Sequence, residues 1–251
     1  MKKRIALIVS VLAVVSLITF LFTLENRIQA QSGDPSIDKL VEGFKTVAAS
    51  SVADAVDAAV GIHGYMYHDM RPVFNCKMVG RAVTAVMRPS TKAKEQASPV
   101  HALEAMDEGA PGSVFIMKVE ESLDIAGIGG LMANTCKARG FAGAVIDGAA
   151  RDVQEIEDMK LPCFSRSITT ASSVGRYVSV AKNVPIQCAG VTVRPGDIII
   201  GDRDGVVCVP IEKAAEVLEL AKGYEAKEKL MVPLIHELKS MMKAVEKYKR
   251  M

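Results

Sequence analysis

The sequence contains no tryptophan, and aromatic residues make up only 5% of it. A surface on which nucleotide bases could stack is therefore not suggested. An excess of charge of one sign is lacking too. The formal net charge is +2, and removing the first thirty residues deletes Lys2, Lys3, Arg4, Arg27 and Glu25 and leaves about −1. That balance gives no electrostatic basis for gripping a phosphate backbone, so nucleic acid is not expected as a partner. The five cysteines (76, 136, 163, 188 and 208) include no CxxC pair and no metal-ligand spacing. They read as free thiols, with Cys208 filling a core position inside GVVCVP. The histidines fit no common zinc pattern either: His63 and His68 share a loop with Asp69, and His101 and His236 have no evident partner. No internal repeat or low-complexity segment is present.

What is present is an ordinary globular composition. Of 251 residues, 49% are hydrophobic and 24% charged. This suffices for one good core, and a single domain is expected over residues 31–251, with residues 211–251 as a helical extension. Ahead of it, Met1–Ala30 reads as a targeting segment. Lys2, Lys3 and Arg4 give a basic start, Ile5–Leu24 is an apolar run, and Ile28-Gln29-Ala30 offers a cleavage site before Gln31. The run is also long enough to span a bilayer, so an uncleaved N-terminal anchor is the alternative. Either way the globular part is expected outside the cytoplasm, touching membrane only through this segment. Free thiols are unusual in such a location.

Periodicity predicts mixed α and β structure. Ser36–Ala49 and Ser51–Val60 read as helices, the second capped by Ser51 with Asp54 in the capping-box position. Phe74–Met87 and Ser113–Val119 read as strands around a helix at Pro99–Glu108. Ile186–Val193 reads as one strand. Arg194-Pro195-Gly196-Asp197 is a turn, and Ile198–Ile200 and Val206–Val209 form a hairpin around Asp202–Gly205. Ile211–Leu230 and Leu234–Tyr248 read as two helices separated by Pro233. Leu234, Ile235, Leu238, Met241, Met242 and Val245 would make one apolar face.

The chemistry concentrates in Gly127–Asp152, GIGGLMANTCKARGFAGAVIDGAARD. Leu131–Arg139 is a helix stopped by Gly140, and Ala142–Ile146 a buried strand. Gly129 and Gly130 open the helix, where free backbone N–H groups suit an anion. Arg151 can grip a carboxylate with two hydrogen bonds. Asp152 is a hard oxygen ligand of the kind Mg²⁺ or Mn²⁺ uses. Together they describe a site for a small 2-oxo acid, with a metal ion stabilising an enolate. A purely structural reading stands beside this. Asp152 with Glu155 looks like an N-cap and its capping-box partner, the glycines could mark a turn, and Arg151 could be a surface charge. The glycines lack the sixth-position Gly or Ala of a dinucleotide fingerprint. Phe164–Tyr177, with Arg166 and Arg176, reads as a polar loop.

The blocks GG-LM, KARG and GAVIDGAARD, with SSVADAVD, VGRAVTAV, GAPGSVFIM and PGDIIIGDRDGVVCVP in the same order, resemble the RraA-like family. That family includes the class II 4-hydroxy-4-methyl-2-oxoglutarate aldolases and the regulators of ribonuclease activity. The resemblance covers about Val47–Leu230. It implies an α/β fold, the swivelling β/β/α sandwich with C-terminal helices here, assembled as a trimer or hexamer with the site between subunits. It also implies site roles: Gly129, Gly130, Leu131, Met132 and Arg151 bind the pyruvyl group, and Asp152 holds Mg²⁺ or Mn²⁺, with Arg151 and Asp152 catalytic. The aldolases usually carry an acidic residue at the position of Gly130. The activity implied is a divalent-metal-dependent lyase forming pyruvate through an enolate, by aldol cleavage or by decarboxylation of oxaloacetate. The alternative is a non-catalytic regulator acting through protein contacts.

Overall fold

The long strand β2 shows how the sheet is assembled. The computed structural model describes residues 35–91 and 98–249. In it, α1 is Pro35–Phe44, α2 Ala49–Val60, β1 Arg71–Pro72 and β2 Met78–Pro89. Helix α3 (Val100–Glu108) leads to β3 (Ser113–Val119), then β4 (Ala126–Ile128), α4 (Gly130–Ala138) and β5 (Gly143–Ala150). Helix α5 (Val153–Asp158) follows, with β6 (Cys163–Ile168), β7 (Tyr177–Lys182), β8 (Ile186–Cys188) and β9 (Val191–Val193). Strands β10 (Ile198–Asp202) and β11 (Gly205–Val209), a 3₁₀ turn at Ile211–Lys213, and helices α6 (Ala214–Leu238) and α7 (Met241–Tyr248) complete the chain.

One nine-stranded sheet runs β1-β6-β5-β3-β2-β10-β11, with β4 on β5 and β7 on β2. Strand β2 serves two partners on one edge: Met78–Arg81 pair antiparallel with β10, and Ala85–Pro89 with β7. On its other edge it pairs parallel with β3, which pairs parallel with β5, as does β5 with β6. The ends of the sheet curl together. Met66 N–H donates to Val206 O at 2.9 Å, and Arg71 Nη1 to Asp204 O at 2.8 Å.

Both faces of strands β3, β5, β10 and β11 are largely buried, so their sequences read as mostly apolar runs. In β3, Phe115 and Met117 join a core under α3, α4 and α5, while Val114 and Ile116 point into the curled interior with Phe164, Ile199 and Cys208. In β10 and β11, Ile198, Ile200, Val207 and Val209 face a third core with α2 and α6. These layers give the expected mixed α/β architecture with helices at the C-terminal end, and the sheet is nearly closed. The residues from Lys39 onward form one compact unit. The targeting segment Met1–Ala30 lies outside the described residues. No described helix is long and apolar enough to cross a membrane.

Several local expectations are corrected. Helix α1 ends at Phe44, and α2 starts at Ala49, so Ser51 lies buried inside α2 rather than capping it. Distant carboxylates take that role: Glu225 Oε1 accepts from Ala48 N–H and Asp202 Oδ2 from Ala49 N–H. Ile186–Val193 is a hairpin, because Ala189 and Gly190 both adopt positive φ and turn the chain. Phe164–Ile168, inside the stretch read as a loop, belongs to strand β6, and strand β7 begins at the last residue of that stretch, Tyr177. Pro233 sits within α6 instead of ending it. The lost hydrogen bond falls on the exposed Lys229 side, where water can satisfy the freed carbonyl. The break comes at Lys239, which is left-handed, and Ser240 caps α7. The predicted apolar face is thereby split, and Met241 and Met242 are exposed.

Candidate functional site

Strand β4 brings the two halves of the Gly127–Asp152 stretch together. It lies parallel to the last residues of β5, so both strands end on the same side of the sheet. Helix α4 starts where β4 ends, and Arg151 starts where β5 ends. Arg151 N–H donates to Ile128 O at 3.1 Å, tying the two ends to each other. The pairing is bulged: Ala126 meets Ala149 but Ile128 meets Ala150, which leaves Gly127 as an extra residue. The polar loop after β6 closes the third side. Ala126 N–H donates to Ala171 O at 3.0 Å and Thr169 N–H to Ala150 O at 3.0 Å.

The result is a cleft of about 180 Å³ lined by Gly129, Leu131, Met132 and Arg151, with Leu103 and Ser172–Val174 opposite. Gly129 caps α4 in extended conformation, and the first helical bond runs from Ala133 N–H to Gly129 O. The amides of Leu131 and Met132 precede that bond and have no partner within the helix. The helix dipole adds partial positive charge at the same spot. Leu131, which lines the cleft, is 88% exposed. Arg151 and Asp152 are both part-exposed, with Nε to Oδ2 at 3.5 Å. The Arg151 fork is otherwise uncommitted among the described residues.

Asp152 behaves unlike a helix cap. It adopts φ 55°, and its side chain makes no capping bond to α5. Its Oδ2 instead accepts the Gly130 N–H at 2.8 Å. Gly129 is confined by the same groups: a Cβ there would lie 2.8 Å from Arg151 Nε and 2.9 Å from Asp152 Oδ2. Glu155 reaches back over Gly130, and its Oε1 accepts from Asn134 Nδ2 at 2.8 Å.

A larger recess of about 470 Å³ lies along Tyr65–His68 and Asp204–Val207. Its one guanidinium, Arg71, is spent on the carbonyls of His68 and Asp204, so the smaller cleft holds the available chemistry. Arg166 is also engaged elsewhere. It donates to Asp69 and to Asp147, a buried carboxylate that also accepts from Lys118 Nζ and Ala189 N–H. Arg176 folds back on Ser172 O.

The family model described as RraA-like, Aldolase/RraA, matches residues 49–208. The chain belongs to the RraA-like family. It is 32% identical over 184 residues to a Halalkalibacterium halodurans protein named, provisionally, as a 4-hydroxy-4-methyl-2-oxoglutarate aldolase, covering 73% of this chain and 82% of that one. Two further curated relatives are matched over only 48% and 35% of their own length. A crystal structure of an uncharacterized protein from Pseudomonas syringae superposes with a TM-score of 0.75 at 28% identity, over 84% of this chain and 94% of that one. Streptomyces coelicolor RraAS2, described as an unusual member of the RNase ES inhibitor RraA family, gives 0.68 at 25% identity, over 76% of this chain and 94% of that one.

In this RraA-like chain the expected residues converge within one subunit. Gly129, Leu131, Met132 and Arg151 line a single cleft, and Gly130 and Asp152 adjoin it through their mutual hydrogen bond. Sequence reasoning missed β4, whose three residues are too few for periodicity to register. It also missed the Ser172–Val174 wall, Asn134, and the position of Glu155, whose spacing from Asp152 pointed to a capping box.

Proposed function

We propose that the chain is a divalent-cation-dependent lyase acting on small 2-oxo acids. The reaction would be aldol cleavage of a 4-hydroxy-2-oxo acid such as 4-hydroxy-4-methyl-2-oxoglutarate, or decarboxylation of oxaloacetate, with pyruvate formed in each. The single observation that carries this reading is the meeting of the α4 amides and Arg151 at one small cleft that Asp152 adjoins through its bond to Gly130. The name of the H. halodurans relative points the same way.

Each group has a part. The Arg151 guanidinium would take the substrate carboxylate as a two-point clamp. The Leu131 and Met132 N–H groups would hold the same end of the molecule. Breaking the carbon–carbon bond leaves an electron pair that must move onto the keto oxygen. Mg²⁺ or Mn²⁺, when bound, supplies positive charge for that oxygen. The donor set fits such an ion: a part-exposed Asp152 carboxylate whose Oδ1 is uncommitted among the described residues and which water can reach, as Mg²⁺ prefers. The cleft volume of about 180 Å³ suits a molecule of pyruvate or oxaloacetate size. A homotrimer or hexamer with the site near subunit boundaries, and export with or without an N-terminal anchor, complete the proposal.

A second reading, favoured by the inhibitor family of the S. coelicolor neighbour and by the exposed Leu131 at the cleft rim, is regulation through protein contacts without turnover. One experiment separates the two: pyruvate release from oxaloacetate by the full chain, with and without Mg²⁺, beside Asp152→Ala. Mg²⁺-dependent release that disappears in the variant is expected. No turnover across a panel of 2-oxo acids by folded protein with Mg²⁺ present would leave the regulatory reading.

A further inference from the structure

Gly130 is the meeting point of two carboxylates. Asp152 reaches it from one side and accepts its N–H at 2.8 Å. Glu155 covers its α-carbon from the other, so that a Cβ at residue 130 would overlap the carboxylate and lie 2.8 Å from Glu155 Cδ. Backbone freedom does not explain the glycine. Residue 130 is the first of α4, where any L-residue fits, and its φ is not positive. What a side chain there would displace is Glu155.

Glu155 is also held in place. Asn134, one turn along α4, donates Nδ2 to both Gly130 O at 2.9 Å and Glu155 Oε1 at 2.8 Å. This fixes one carboxylate oxygen and leaves Oε2 against Gly130, without a hydrogen-bond partner among the described residues. An exposed glutamate on a short helix would ordinarily extend into water to avoid a neighbouring carboxylate. Here Asn134 holds it over Gly130, the residue whose N–H Asp152 accepts. Two carboxylates meeting at one residue offer oxygen donors of the kind a hydrated divalent cation takes.

We infer that Glu155 is a positioning residue of this site. It completes, with Asp152, a two-carboxylate anchor for a hydrated divalent cation. Asp152 holds the ion, and Glu155 Oε2 accepts hydrogen bonds from its water shell. Asn134 sets the direction of the carboxylate, and Gly130 leaves it room. This rests on the cation-dependent reading above, and adds to it the residue that orients the shell.

The test is a Mn²⁺ titration of the full chain, followed by the electron paramagnetic resonance signal of the free ion. Partners in the outer shell of a metal site typically change affinity by about 10- to 100-fold. Glu155→Gln is therefore expected to weaken Mn²⁺ binding by about 10-fold or more, and Asp152→Ala to abolish it. Glu157→Gln, with the same charge change elsewhere on α5, is expected to bind like the parent. Moving the carboxylate to the opposite side of the gap, with Gly130→Asp and Glu155→Ala together, is expected to recover binding. Parent-like affinity in Glu155→Gln, with Asp152→Ala still defective, overturns the role of Glu155 and leaves the cation reading standing. Equal weakening in Glu157→Gln overturns it also, by reducing Glu155 to general charge. Parent-like affinity in Asp152→Ala removes the cation reading itself, and this inference with it.

Discussion

Asp152 turns its carboxylate away from the helix it precedes and onto the backbone of Gly130, whose N–H it accepts at 2.8 Å. The bond joins the start of α4 to the end of β5. Asp152 makes it from the left-handed conformation, φ 55°, which few non-glycine residues adopt. Asp152 thus connects the free amides at the start of α4, Arg151 and the acidic side of the cleft.

Arg151→Lys should separate grip from charge. Lysine keeps the positive charge but loses the planar two-point clamp. Hydrogen bonds to charged groups contribute about 1.5–3 kcal/mol. The KM for the 2-oxo acid is expected to rise by about 10-fold or more, with folding unaffected. Steady-state kinetics at saturating Mg²⁺ provide the check, and an unchanged KM would place the carboxylate elsewhere.

Gly129→Ala should harm activity without harming the fold. Its φ of −145° is open to any residue, so strain is not introduced. The added methyl would sit 2.8 Å from Arg151 Nε and 2.9 Å from Asp152 Oδ2, both movable side-chain atoms. Turnover is expected to fall about 10-fold or more, while the melting temperature shifts by no more than a few degrees. Paired assays of rate and thermal unfolding read both effects.

The Asp69–Arg166 pair should make stability pH-dependent in acid. The Arg166 guanidinium, at 2.8 Å, holds the Asp69 carboxyl below the usual carboxylate range, against some opposing desolvation. A carboxyl with a depressed folded pKa stabilises the fold above its unfolded pKa, and that contribution is lost as pH falls through the folded value. The stability gap between the parent and Asp69→Asn should therefore be full above about pH 5 and shrink towards zero well below about pH 3.9. Urea midpoints measured across that range would show it. A gap that stays constant would mean the charge on Asp69 is not what stabilises.

The cysteines should be nearly inert in the native protein. All five are free, and four are buried. Burial pushes the Cys136 thiol up to about 12 and raises Cys163, Cys188 and Cys208 as well. Thiolate is the reactive form. A thiol reagent at mildly alkaline pH should therefore label at most the half-buried Cys76 quickly, and all five after denaturation. Rapid native labelling of Cys136 would contradict the packing.

Legibility in the sequence followed the number of residues that shared one environment. Ser113–Val119 was readable to the residue, because six of its seven side chains are apolar or small and buried, Lys118 alone being charged and partly buried. The α4 helix was read to within one residue at each end through its helix formers, and the hairpin around Asp202–Gly205 through turn chemistry, with its strands one or two residues short. The site glycines and the Arg151-Asp152 pair were visible as chemistry. Their meeting was not, because it depends on β4, three residues whose only signal is the company of β5. The role of Glu155 was hidden for another reason. Its spacing from Asp152 satisfies a capping box, and only the positive φ of Asp152 shows that the box is not formed. At Pro233 local propensity was overridden by length, since helical turns on both sides carry α6 across one missing bond.

The bulge at Gly127 makes the alignment of the cleft a matter of counting. Because β4 spends two residues where β5 spends one, the phase between the α4 amides and the Arg151 guanidinium is set by a single inserted residue. The packed walls leave it no slack: a Cβ at 127 would lie 2.7 Å from Val119 Cγ2 and 2.9 Å from Ile146 Cγ2. The site therefore has a gear-tooth character. A chain one residue shorter at this point would mesh its strands again, but with the amides and the guanidinium out of step. Drift in sequence can reshape the rim of the cleft far more freely than drift in length can pass through this one position.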